Sequence, residues 1–116
     1  MPEPTPTTPH QVLITAQAKQ DLRSITRYVA QHDSLGKAER LLDKILDTCN
    51  GLALQPDRGA WPPELLAVGV HSYRQVHFKP YRVIYRVVGQ TVVVLVIADG
   101  RRNLKALLER RLLGAR

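Results

Sequence analysis

Residues Tyr81 to Arg102 read YRVIYRVVGQTVVVLVIADGRR. Side chains two apart on a strand share a face, so the first run puts Tyr81, Val83, Tyr85 and Val87 on one side and Arg82, Ile84, Arg86 and Val88 on the other. The second run, TVVVLVIA at 91–98, is apolar on both sides, as expected of a central strand covered twice. Between them Gly89-Gln90 has the Gly-X form of a two-residue type II′ turn, which makes the two runs an antiparallel hairpin. Asp99-Gly100 then turns the chain out of the second strand.

Working backwards, YRQVHFK at 73–79 alternates again, with Arg74, Val76 and Phe78 on one face, and Pro80 ends it because proline cannot donate to a ladder. The stretch QPDRGAWPPE at 55–64 has no period and is read as a loop, with Trp61 expected to anchor it to the core. Further upstream the period becomes helical. Leu22, Ile25, Tyr28 and Val29 mark one buried stripe between Ala16 and His32, and Ala38, Leu41, Leu42, Ile45, Leu46, Cys49 and Leu52 mark a second after Ser34. Thr15 and Ser34 are the expected N-caps, and the short link HDSLG implies an antiparallel helix pair. HQVLIT at 10–15 is a short β-prone run. Downstream, RRNLKALLERRLL at 101–113 is expected to be a helix with Leu104, Leu107, Leu108 and Leu112 inward, ended by Gly114.

The expected class is therefore α+β: an antiparallel sheet, an N-terminal helical hairpin on one face, a C-terminal helix, in the order β-α-α-β-β-β-α. A chain of 116 residues suits one such domain. We assign it to residues 10–116, preceded by a Pro/Thr-rich leader at 1–9 that is too poor in apolar side chains to pack. The lone cysteine fits a reducing cytoplasm, and the longest apolar run, 92–98, is too short to span a bilayer, so no membrane partner is expected.

The net charge of +7 is unevenly placed. Residues 1–64 hold seven Lys/Arg against eight Asp/Glu, whereas residues 65–116 hold ten against two, so the excess lies wholly in the second half. Charge of that kind attracts phosphates or an acidic protein. Arg82 and Arg86 point the same way, Arg74 joins them if the neighbouring strand pairs in the matching register, and Arg101 and Arg102 follow at the strand end. Lys105, Arg110 and Arg111 extend the basic surface along the last helix. Guanidinium groups converging on one hollow would bind phosphate or carboxylate bidentately. His10, His32, His71 and His77 lie in separate elements without a ligand spacing, so no metal is expected; His71 and His77 are weak candidates for proton transfer. No phosphate loop or nucleophile motif is present, and no cofactor is expected.

The run YRVIYRV, its glycine hairpin, VVVLVIA, and the close in DGRR with a basic leucine helix together resemble the RelE/ParE superfamily of bacterial type II toxins. The resemblance covers roughly residues 10–113. It implies a small toxin held inactive by a cognate antitoxin that wraps it. RelE-like members cut messenger RNA on the ribosome, whereas ParE-like members inhibit DNA gyrase without hydrolysis. Carrying over the ribonuclease positions, Arg74 matches a basic residue of the second strand, Arg82 the arginine of the third, and Arg102 the arginine opening the final helix; His77 is a weak substitute base. The family's second-strand lysine falls near Val76. The position where RelE-like enzymes hold a tyrosine falls near Leu108, and no Tyr or His follows Tyr85. The departure favours the gyrase branch, with a ribosome-dependent ribonuclease as the alternative and a non-toxic nucleic-acid-binding module as a third.

Overall fold

A computed structural model describes residues 8–114. The leader expected at 1–9 therefore lies, except for Thr8 and Pro9, outside the described residues. The elements run β1 (Gln11–Ile14), α1 (Ala16–His32), α2 (Leu35–Asn50), a single 3₁₀ turn (Gly51–Ala53), α3 (Pro63–Leu66), β2 (Arg74–Phe78), β3 (Tyr81–Val88), β4 (Thr91–Asp99) and α4 (Lys105–Leu112).

Local chemistry explains most boundaries. The Thr15 hydroxyl accepts the Ala18 N–H at 3.2 Å and the Ser34 hydroxyl accepts the Lys37 N–H at 3.1 Å, each satisfying an amide left over at a helix start. Only Asp33 and Ser34 separate the two helices, so they fold back on each other. Gly89 has φ +59° while no residue other than glycine takes a positive φ among the described residues, the combination that a type II′ turn requires.

The sheet order is β1-β4-β3-β2, with β4 central as expected. Strands β2, β3 and β4 pair antiparallel, but β1 pairs parallel with β4, Gln11 opposite Thr91 through Ile14 opposite Val94, so the sheet is mixed. No tight turn joins β1 to β4; the helices and two strands lie between them, which is the long crossover that parallel pairing needs. Opposite Ile84 and Tyr85 the register of β4 jumps from Val96 to Val94, a bulge at Leu95.

Both faces of the sheet are covered. On one, α1, α2 and the 3₁₀ turn pack Ala18, Leu22, Ile45, Cys49 and Leu52 onto Val76, Val83, Tyr85, Val92, Val94 and Ile97. On the other, Leu65, Leu104 and Leu108 from α3 and the α4 segment close over Tyr73, Ile84, Val96 and Ala98. Cys49 is wholly buried in the first core, which pushes its thiol up to about 11 and leaves it protonated.

The sheet expected to be antiparallel is mixed, because β1 joins it only after a long crossover, and three further expectations are corrected. Trp61 is 46% exposed and Pro62 is buried in its stead; the loop is anchored by Tyr85, whose hydroxyl donates to the Pro56 carbonyl at 2.6 Å and accepts the Gly59 N–H at 3.1 Å. Within that loop 63–66 is a short helix, begun by Pro63 at its first turn. Helix α4 starts at Lys105 rather than Arg101, because the Asp99 carboxylate takes the Arg101 N–H at 2.9 Å and the Asn103 side chain takes the Lys105 N–H at 3.1 Å, local bonds that hold a turn.

Candidate functional site

Arg82 lies on β3, on the face away from α1 and α2, opposite His77 of β2 and Ala98 of β4. Its side chain is bonded on every edge. Nη1 and Nη2 donate to the two Glu64 carboxylate oxygens at 2.6 and 2.8 Å, and Nε donates to Gln75 Oε1 at 2.7 Å. The residue is 8% exposed. Gly100 clears room for its stem: a Cβ there would stand 2.9 Å from Arg82 Cγ. This is the bidentate geometry that a phosphate would want, already taken by a carboxylate.

The hydrogen bonds from Arg82 hold the Glu64 carboxyl below its ordinary range, against the opposing effect of burial. Because folding lowers this pKa, the unfolded chain takes up the proton first as acid is added. The stabilisation is complete above the unfolded value of about 4.3 and is lost as pH falls through the folded one. Glu64→Gln is therefore expected to lower the melting temperature at pH 7 and to flatten its fall between neutral and acidic pH. Equal acid limbs in the two proteins would show that the pair contributes nothing to folding.

Arg74 pairs with Tyr85, whose ring sits in the core beneath α1 and α2, so Arg74 and Arg82 occupy opposite faces of the sheet. Its Nη1 donates to the Gly59 carbonyl at 2.9 Å. Arg111 is likewise engaged: Nη1 and Nη2 donate to Asp21 at 3.0 and 3.1 Å, Nη2 also to the Leu95 carbonyl at 2.8 Å, and Nε to Gln17 at 2.9 Å. Asp21 accepts the Ile97 N–H as well, at 3.0 Å. Arg101 folds onto Asp99 at 2.7 Å, which holds that carboxyl low, though the arginine itself stays largely exposed.

The single arginine-lined hollow expected from the sequence is therefore not formed. Register sends Arg74 to the other face, and acids from the first half of the chain fold over Arg82 and Arg111. Glu64, Gln75 and Asp21 are the residues the sequence reading passed over. The one signal for the two carboxylates was the charge asymmetry itself, eight acids upstream being the complement of the basic second half; neutral Gln75 carried none. His77 is exposed on β2 beside Arg82, and His71 lies against Trp61 with ring centroids 5.0 Å apart. Arg86 is exposed on the same face as Arg82 but four residues along the strand, about 13 Å away. Arg102, Lys105 and Arg110 are exposed around the start and outer side of α4 and make no ion pair among the described residues.

Arg102 also borders two adjoining cavities. One, of about 560 Å³, lies between the C-terminal half of α1 and the ends of β3 and β4; the other, of about 410 Å³, lies between α1 and α4.

The family described as ParE toxin of type II toxin-antitoxin system, parDE, matches residues 12–104, from β1 to the last residue before α4. The chain belongs to the ParE toxin family. It is 31% identical over 100 residues to Toxin ParE3 of Caulobacter vibrioides, covering 86% of this chain and 96% of that protein. Its fold is also that of a chain of the chromosomal ParDE toxin-antitoxin system from P. aeruginosa, with TM-score 0.65 and 21% identity over 80% of this chain and 98% of the other. A chain of the toxin-antitoxin complex RelBE2 from Mycobacterium tuberculosis aligns with TM-score 0.58 and 22% identity over 78% and 98%. In this ParE-type toxin Arg82, expected from the resemblance to match the third strand's arginine, is one half of an internal ion pair. Among the described residues no helix is long and apolar enough to cross a membrane.

Proposed function

We propose that this ParE-type toxin arrests growth by binding DNA gyrase, with no hydrolysis of its own, and that a cognate antitoxin neutralises it. The observation that carries the choice of branch is the occupation of Arg82. A guanidinium that steadies a reacting phosphate has to be presented to it, and this one is enclosed by Glu64 and Gln75. Leu108, near the position where the ribonucleases hold a proton-exchanging side chain, is fully buried in the core. General acid or base help worth about 10² to 10⁴ in rate has no group there to supply it. The exposed cations Arg86, Arg102, Lys105 and Arg110 are contact residues on this reading, suited to steering and holding an acidic partner.

The test uses the purified chain in two assays. We expect it to block supercoiling by gyrase while leaving ribosome-bound message intact. Cleaved message with normal supercoiling would instead establish the ribonuclease reading, with His77 beside Arg82 as the first residue to replace. Controlled expression that leaves bacterial growth unaltered would remove both and leave a basic binding module.

A further inference from the structure

The two edges of the sheet are finished differently. On the outer edge of β2, Gln75 exchanges both backbone hydrogen bonds with Ala60, at 2.7 and 3.1 Å, and Pro80 follows soon after the strand. The outer edge of β1 has no such cover. Gln11 and Thr15 donate their N–H groups to the Gln90 and Val94 carbonyls, at 2.9 and 3.1 Å. Backbone direction alternates along a strand, so Val12 and Ile14 turn their groups outward, where neither N–H has a partner among the described residues. Just before the strand, the His10 N–H is capped by the Ala53 carbonyl at 2.8 Å.

The surroundings of this edge are apolar and uncharged. Residues 8–18, 51–56 and 87–98 contain no Asp, Glu, Lys or Arg. The β1–β4 pairing, the β3–β4 hairpin and the bond from His10 to Ala53 bring these three segments together. Leu13 is 54%, Leu54 65% and Val88 49% exposed there. Two copies of a chain with net charge +7 repel each other, and a neutral corner is where that repulsion is least. The cation nearest in register, Arg86, lies two strands inward, across Val93 from Leu13.

We propose that β1 pairs with β1 of a second copy of this chain, antiparallel about a two-fold axis at Leu13. The pairing needs neither the gyrase nor the antitoxin reading. An open strand edge is a template for another strand, and under this symmetry the edge is its own complement. Val12 of each copy exchanges both backbone hydrogen bonds with Ile14 of the other, which uses every free N–H of the strand, and the exposed Leu13 side chains meet across the axis at a Cα separation of about 4.5 Å. The two Arg86 residues stand five strand spacings apart, roughly 24 Å, well beyond the screening length of about 8 Å at physiological salt. Interface size sets the strength. Stable dimers bury about 800 Å² per partner, and a four-residue edge with its flanking leucines and valine supplies roughly half of that, so the dimer is transient, with Kd on the order of 10 μM. Arg102, Lys105 and Arg110 follow the opposite end of β4 and stay open in both copies.

Sedimentation equilibrium on the full chain, from about 1 to about 500 μM, tests the pairing. The wild type is expected to show a monomer–dimer equilibrium. Leu13→Lys, which sets two ammonium groups opposite each other from an exposed position, is expected to raise Kd more than about tenfold. Register is read by oxidative cross-linking, in which the buried Cys49 leaves the wild type unlinked. Leu13→Cys is expected to give a linked dimer, because the Cα separation falls within disulfide range, whereas Gln11→Cys leaves its Cα atoms about 14 Å apart and is expected to give none. A wild type that stays monomeric at about 500 μM overturns the proposal, as does a Leu13→Lys dimer of wild-type strength in a chain shown folded by circular dichroism. Equal cross-linking at both positions overturns it too, and that readout does not depend on the lysine variant folding. If the wild type is monomeric throughout and Leu13→Lys loses binding to gyrase or to the product of the adjoining gene, the edge belongs to a different chain and the proposal fails.

Discussion

Arg82→Ala is expected to destabilise the fold by about 3 kcal/mol, because removing one partner of an enclosed ion pair strands the other. Glu64 would keep its carboxylate in α3 with no counter-charge, and Gln75 would lose the donor to its side-chain oxygen. The Glu64 side chain retains 21% exposure, so water can partly re-solvate it, and the cost falls at the lower end of the range for fully buried pairs. The arginine stem packed over Gly100 is lost as well. For a domain of this size each kcal/mol moves the melting temperature by about 4–8 °C, so a fall of about 15 °C is expected in a thermal scan. Urea unfolding should show a lower midpoint at an unchanged slope. Replacing both partners by apolar residues, Arg82→Met with Glu64→Leu, should recover most of the loss. A single-variant cost under about 1 kcal/mol would mean that the pair behaves as a solvated surface bridge. The consequence reaches function: a loss of toxicity in Arg82→Ala speaks about contacts only at temperatures where the variant is shown to be folded.

The second large effect is expected from Asp21→Ala. Strand β1 accompanies β4 only as far as Val94, and beyond that point the outer edge of β4 has no strand beside it among the described residues. Side chains take over. Asp21 accepts the Ile97 N–H, Arg111 donates to the Leu95 carbonyl, and the two are joined to each other. One carboxylate from α1 thus satisfies the bulged strand and holds the end of α4. Its removal leaves the Ile97 amide without its acceptor and a largely enclosed guanidinium without its counter-charge, at a cost of about 3 kcal/mol. Hydrogen exchange should report a local change too, with the amides of α4 losing protection before those of the sheet. Asp21→Asn keeps an oxygen for Ile97 but surrenders the charge, and should fall between. A double-mutant cycle with Arg111→Ala should return a coupling of at least about 1 kcal/mol; additivity would show that the two residues act independently.

How far the sequence could be read depended on the range of the interaction. Thr15 and Ser34 were legible as helix caps, Gly89-Gln90 as a hairpin turn and Pro80 as a strand end, because each is decided within a few residues by hydroxyl–amide bonding, φ freedom or a missing N–H. The two helical stripes and the doubly covered β4 were legible from periodicity. The exceptions are informative. Tyr28 sits on the inward stripe by spacing yet projects past the core, and Arg101-Arg102 match a helix start by composition yet sit in a turn fastened by Asp99.

The fate of the arginines was of another kind. Whether Arg74 shares a face with Arg82 depends on the register of β2 against β3, where a slip of one residue would reverse every side chain. Whether Arg82 and Arg111 are free depends on acids 18 and 90 residues away in the chain. The amino-acid order alone therefore determined the elements, their sequence along the chain and the basic character of the second half. Only the tertiary structure decided which of those charges remain available to a partner. Caps, turns and amphipathic periods arise from neighbours along the backbone, whereas charge pairing arises from neighbours in space, and those exist only once the sheet has set its register and the helices have closed over it.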